Sequence, residues 1–434
     1  MNRASDGMRR WRSATFEALN HPQYRILWAG TTLAFLAFMM SWVAQAVVAF
    51  DLTGKNGSVG IVSLGMGIAQ LTVGPFGGAV ADRVSKRGML LAGQALAGLN
   101  FIVVGVLILT DVITIPLLVA STIMLGVVFA FIAPARQAWV GELLPQRAIP
   151  NGIALTQVAM TGTRIIGPLL AGGLVAWSVV GPGGTYVFMG GLFIIVVATL
   201  AKLPPSQPKP RHAGGPGVLD DLYLGFRHVA ERPRLGLLAV SFILVVITGY
   251  SYQVVLPGFL ENELGRESKD LGIMLAVSAV TGLIATIGLA GAANSRLAWP
   301  LMIGGGVMLG VSLLILALAP NFAIVLVAML LTGAGTGAFQ MLNNALVMQE
   351  SAPQFYGRVM SLTMMAWGFN GLAGLPFGLL ADGIGERQTT LIMGAGVLIV
   401  CALTSLVYSG IRTRPSHAAV TPVPDGLTEA IAGE

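Results

Sequence analysis

From residue 297 to residue 349 the chain carries no ionisable side chain. A helix needs roughly 20 apolar residues to cross the hydrocarbon of a bilayer, so this stretch is long enough to cross twice. The turn signal Ala319-Pro320-Asn321 divides it into two spans. Helices satisfy their own backbone hydrogen bonds, which a lipid environment demands. Over 434 residues, 55% hydrophobic and 10% charged side chains cannot supply an ordinary polar surface, which excludes a soluble globule.

The same reading of charge gaps finds spans at 26–50, 59–81, 89–110 and 112–135, a fifth over 152–180 with one internal charge, and a sixth over 185–201. The second part supplies 235–260, 271–295, the divided 297–349, 359–381 and 388–411. The expected fold is an all-α membrane protein of twelve transmembrane helices. Lys and Arg are retained on the cytoplasmic side. Placing the N-terminus inside puts 20 Lys/Arg in inside loops and tails, 4 outside (Lys55, Arg266, Lys269, Arg387) and 1, Arg164, within a span. Both termini are expected in the cytoplasm, with the protein multi-pass in the inner membrane.

That asymmetry and anionic headgroups account for the net charge of +6, so no nucleic-acid partner is expected. Arg9, Arg10 and Arg12 precede the first span with no small-residue cleavage site after it, which argues against a removed signal peptide. The single cysteine, Cys401, excludes an intramolecular disulfide, and no His/Cys/Asp/Glu group has metal-ligand spacing. No phosphate-binding G-x-x-x-x-G-K-[ST] string occurs, so ATP is not the energy source. Neither a cofactor nor an enzymatic activity is expected, and a monomer is.

Breakers cluster at Pro204, Pro205, Pro208, Pro210 and Gly214 to Gly217. The expected organisation is a cytoplasmic tail (1–25), a six-helix bundle (26–203), a cytoplasmic linker (204–234), a second six-helix bundle (235–411) and a cytoplasmic tail (412–434). Within the linker, Leu219, Leu222, Tyr223, Phe226 and Val229 recur at helical spacing among Asp220, Asp221, Arg227 and Glu231, the pattern of an amphipathic interfacial helix. The two bundles repeat: Glu142, Pro145, Gln146 and Pro168 recur 208 residues later as Glu350, Pro353, Gln354 and Pro376. Two six-helix pseudo-repeats enclosing a midplane cavity are a transporter architecture.

After span two, Gly78-Ala-Val-Ala-Asp82-Arg83-Val-Ser85-Lys86-Arg87 resembles the G-x-x-x-D-R-x-G-R-R signature of the major facilitator superfamily, with Ser85 in place of the usual glycine. The spacing suits a conformational latch. Asp82 is placed to sit against the positive end of span eleven near Gly357, while Arg83, Lys86 and Arg87 pair with carboxylates and headgroups, Glu142 foremost. The second-half counterpart, Gly291-Ala-Ala-Asn294-Ser295-Arg296, lacks the acid. Leu19-Asn-His-Pro-Gln-Tyr24-Arg25 before span one, Asp51-Leu-Thr53-Gly54 after it, Thr163-Arg164-Ile-Ile-Gly167-Pro168 and Gly225-Phe-Arg-His-Val-Ala-Glu-Arg-Pro233 are similar to the branch holding enterobactin-type siderophore exporters and macrolide efflux pumps. The resemblance implies the major facilitator fold and export of a drug-like compound or siderophore. A lipid or lysophospholipid flippase and a nutrient importer of the same fold remain alternatives.

Arg164 is the leading site residue, because a charge in mid-span costs at least roughly 2.5 to 3.5 kcal/mol and needs a partner or a wet cavity. The repeat offset carries it to Leu372, so the duplicated scaffold does not require it. Gln157 and Thr161 share its helix face, and Gln340, Asn343 and Asn344 cluster on span ten. Gln45, Tyr250, Gln253, Trp367 and Asn370 lie on helices that resemble the family's cavity-lining ones. Coupling to protons is expected through Asp51 or Glu142, since no carboxylate lies deep within a span.

Overall fold

The computed structural model describes residues 17–206, 218–267, 270–352 and 355–412. The two tails beyond these limits and the centre of the linker lie outside the described residues, as do the side chains of Gly78, Asp82 and Arg83. Everything regular among the described residues is helical.

The first half holds α1 (Pro22–Asp51), α2 (Asn56–Thr72), α3 (Gly74–Arg83), α4 (Lys86–Leu109), α5 (Ile115–Leu143), α6 (Ile149–Ala176) and α7 (Gly181–Leu200). Proline stands at the first turn of α1, α3, α5, α6 and α7, where its missing N–H has no helical acceptor to lose. The Ser85 side chain caps α4 by accepting from Gly88 N at 3.3 Å. After the linker helix α8 (Val218–Ala230) come α9 (Pro233–Val245), α10 (Tyr252–Gly258), α11 (Leu271–Leu289), α12 (Ala298–Ala317), α13 (Phe322–Glu350), α14 (Tyr356–Ile384) and α15 (Glu386–Arg412). The turn at Ala319-Pro320-Asn321 divides α12 from α13 as expected, and Asn321 Oδ1 caps α13 through Ile324 N at 3.1 Å.

Ten helices among the described residues are long and apolar enough to cross a membrane. Two expected spans depart from a plain helix of that kind. Residues 59–81, read as one span, fall across α2 and α3, which part at Val73 just before Gly74-Pro75. Residues 235–260 form a helix with two π turns, Val246–Tyr250 and Phe259–Glu263. Such turns are frequent at functional sites.

In the first half α1 packs on α6 and α7, α4 on α7, and α2 on α5; in the second, α13 packs on α11 and α12, and α12 on α15. The halves meet where α2 lies along α14 and α6 meets α11. The contact is close because it is built from backbone. A Cβ on Gly60 would stand 2.5 Å from the Gly374 carbonyl oxygen, and one on Gly272 would stand 2.4 Å from that of Pro168, so only glycine fits at either point.

Polar contacts between the halves gather at the end of the bundle that bears Asp382. Its carboxylate accepts from Asn56 N at 2.7 Å and Gly57 N at 2.9 Å, so a side chain of one half occupies the positive end of α2 in the other. Beside it the buried Glu386 accepts at Oε1 from the Asn56 amide at 3.0 Å and the Asn262 amide at 2.6 Å. At the opposite end α8 docks by its buried His228, stacked on Phe355 at 3.9 Å and 12°. Tyr223 and Phe226 on the same helix stay exposed, the apolar face expected of an interfacial helix.

Candidate functional site

Arg164 stands mid-way along α6 and is exposed there, with no carboxylate partner among the described residues. One helical turn beyond it, Pro168 offers its carbonyl to Gly272 on α11, so this face of α6 looks at the second half. Tyr250, in the first π turn, lies near the Arg164 guanidinium. Gln157 is exposed two turns before Arg164 on the same face, and Thr161 Oγ1 donates to the Gln157 carbonyl at 2.9 Å.

The facing half is aromatic. Tyr250 donates its hydroxyl to the Thr336 carbonyl at 3.1 Å and stands edge-on to Trp367, with ring centres 5.3 Å apart. Phe242 meets the other side of Trp367 at 6.3 Å. Asn370 accepts from Ser251 Oγ at 3.0 Å, and Gln253 interacts with the Tyr252 hydroxyl. These contacts bring Tyr250, Trp367 and Asn370 onto one wall with Arg164 opposite. Gln340 and Asn344 are half-buried. Asn343 is fully buried, and neither of its amide atoms has a partner among the described residues. Gln45 is buried on α1 and makes no described contact with Arg164.

Arg136 is the residue that the reading of charge gaps missed. Closing the fourth span at 135 assigned it to a loop, yet α5 continues to Leu143 and buries it to 5% exposure. Its guanidinium lies over the Phe35 ring of α1 at 5.0 Å, and its Nη2 has no hydrogen-bond partner among the described residues. Pro145 held the missing signal, since helices end at or before the residue preceding a proline and the span therefore had room to run past 136.

Two of the expected latch residues, Glu142 and Arg87, are engaged within the first half. Glu142 pairs with the buried Lys86 at 2.9 Å, rather than with Arg87. Arg87 Nη2 donates to the Ala201 carbonyl at 2.6 Å, and its backbone N–H to Ser206 Oγ at 3.2 Å. Gly78, Asp82 and Arg83 fall among side chains outside the description. The offset of 208 carries Lys86 to Asn294, where Gln349 Nε2 donates to Asn294 Oδ1 at 3.0 Å. Gln349 stands one residue before Glu350, the counterpart of Glu142, and Glu350 faces Arg234 Nη1 at 3.8 Å. Of the expected proton carriers, Glu142 is held by Lys86, and Asp51 is exposed at the end of α1.

Two helical halves joined by a docked linker helix, with a charged and aromatic face between them, define a polytopic transporter. A model of the Major Facilitator Superfamily matches residues 27–375, and the chain belongs to that family. It is 24% identical over 375 residues to the staphyloferrin A transporter of Staphylococcus aureus, covering 85% of this chain and 92% of that one. It is 23% identical over 415 residues to the enterobactin exporter EntS of Citrobacter koseri, covering 94% and 96%. The nucleoside transporter NupG has the same fold, with a TM-score of 0.74, 15% identity, and coverage of 88% of this chain and all of that one. The chain is a secondary transporter and not an enzyme.

Proposed function

We propose that this protein crosses the inner membrane twelve times, with α2–α3 and α14 completing the ten apolar helices, and exports a small drug-like or siderophore-like molecule by alternating access. The two halves are read as six-helix repeats, with both termini in the cytoplasm. On that orientation the Asp382 end is the outer gate, and its hydrogen bonds are read as a closed exterior with the cavity facing the cytoplasm, the state that loads cargo for export. Rocking of the halves then opens the exterior.

The observation that carries this reading is Arg164, a mid-span guanidinium exposed between the halves beside Tyr250 and with no carboxylate partner among the described residues. A charge so placed is expensive unless a ligand or wet cavity receives it. Gln157, Gln253, Gln340, Trp367 and Asn370 add hydrogen bonds and apolar surface around the cargo. Asp51, near the outer gate, is the proposed proton carrier. Glu142 holds Lys86 at the other end, where it supports the latch of Gly78, Asp82 and Arg83.

Cellular accumulation of lipophilic dyes, macrolides and siderophores, compared among empty cells, wild type and Arg164→Leu at matched expression and with a protonophore, tests the proposal. Export predicts lower accumulation that depends on both the gradient and Arg164. Higher accumulation in wild type reverses the direction, and no difference for any compound refutes export.

A further inference from the structure

Hydrogen bonds and close contacts fix the register of α1 against α6. Tyr24 donates to the Gly152 carbonyl at 2.6 Å, Trp28 Nε1 to the Leu155 carbonyl at 2.9 Å, and Gly167 abuts Met39. Arg164, one turn before Gly167, is therefore level with Phe35 and Leu36. Phe35 is the ring that carries the Arg136 guanidinium, so the Arg136 side chain and the Arg164 backbone meet α1 at the same level although they belong to different helices. No carboxylate of the chain lies at that depth, because every Asp and Glu in the sequence stands near a span end, in a loop or in a tail.

The wall around Arg136 has a consistent chemistry. Phe35, Phe38 and Trp42 follow one face of α1 at i, i+3 and i+7, and Phe129 on α5 tilts onto Phe38 at 4.1 Å. Two buried nitrogens on this wall, Arg136 Nη2 and Trp42 Nε1, have no acceptor among the described residues. Arg and Trp side chains are donors only, and buried donors in native proteins are almost always paired. What the wall lacks is oxygen, and what it offers besides positive charge is flat apolar surface.

We propose that Arg136 and Arg164 form a two-point cationic site for a cargo carrying at least two anionic oxygens on an aromatic scaffold. This deepens the export reading and rests on it. Arg136, its guanidinium resting on the Phe35 ring, holds one anionic group by its planar fork, and Arg164 holds a second between the halves. An anionic cargo also gives the inside-negative membrane potential a direct share in driving export.

The test uses purified full-length protein, 5-carboxyfluorescein as the anionic aromatic probe and ethidium as the cationic one, with binding read by fluorescence anisotropy. Wild type is expected to prefer carboxyfluorescein, and Arg136→Gln and Arg164→Gln each to weaken it by about tenfold, the order of one lost charge-assisted contact, while ethidium is unaffected. Arg136→Lys, which keeps the charge and loses the fork, should fall between. Should Arg136→Gln fail to fold, the wild-type preference and the Lys variant still decide. Equal carboxyfluorescein binding by wild type and both Gln variants, or a wild-type preference for ethidium, overturns the proposal. Cells that expel ethidium through a protein that does not bind carboxyfluorescein overturn the anionic site and leave export standing. Tight, arginine-dependent carboxyfluorescein binding without gradient-driven movement of either dye upholds the site and refutes export.

Discussion

Replacing Asp382 by Asn should open the outer gate. The carboxylate takes two backbone N–H groups at 2.7 and 2.9 Å at the start of α2. Hydrogen bonds to charged groups contribute roughly 1.5–3 kcal/mol, and a charge at a helix N-terminus about 0.3–1 kcal/mol. Asp382 is exposed, so solvent screening moves both values towards their lower ends. Asparagine keeps one acceptor oxygen and loses the other together with the charge. The net loss is about 2 kcal/mol, which shifts the ratio of open to closed exterior by roughly 30-fold. Spin labels at Leu52→Cys and Ile384→Cys, both exposed positions at this end, in a Cys401→Ala background, report the gap by pulsed electron resonance. Wild type should give one short distance and Asp382→Asn a second, longer one. Superimposable distance distributions would refute the gate reasoning.

Gly60→Val places side-chain atoms where a Cβ alone would stand 2.5 Å from the Gly374 carbonyl; the same label pair should report a widened exterior while the thermal midpoint of the isolated protein stays near wild type. Glu142→Gln leaves the Lys86 ammonium buried without its 2.9 Å partner. That should destabilise the fold by roughly 3 kcal/mol, seen as a lower melting temperature in detergent, and unchanged melting would show that the pair contributes little. Burial and the neighbouring Arg232 push His228 below its usual range, against a weaker opposing effect of Glu231. Docking of α8 is therefore strongest above the ordinary histidine pKa of about 6.5 and weakens as pH falls through the depressed value. Hydrogen exchange of residues 218–230, corrected for its intrinsic pH dependence, should rise from pH 7.5 to 5.5 in wild type and not in His228→Phe.

Charge gaps made the spans legible because a lipid-embedded helix excludes ionisable groups more strictly than any local propensity shapes it. Where that rule met a buried charge it failed. Arg136 ended a span on paper and continues a helix in the fold, since a guanidinium over Phe35 is tolerated inside a bundle. Arg164 was legible for the opposite reason, as a charge with uncharged flanks on both sides. The Asp382 contact was not legible: it reaches Asn56 across 326 residues, and no local pattern records which helix start a distant acid will meet. Lys86, one of the basic residues the latch motif offers to Glu142, holds it because it is turned into the first half and buried there.

On the proposed function, a gradient drives the export of a cargo that passes Arg164. Reconstitution into vesicles with an imposed proton gradient and membrane potential tests it most directly, by following the uphill movement of whichever compound the cells exclude. The account predicts accumulation against the compound's own gradient by wild type, abolished by dissipating the imposed gradients and reduced at least tenfold by Arg164→Leu in protein that remains monodisperse. Uphill transport that persists undiminished in Arg164→Leu, or wild-type movement that only equilibrates the compound, would contradict it.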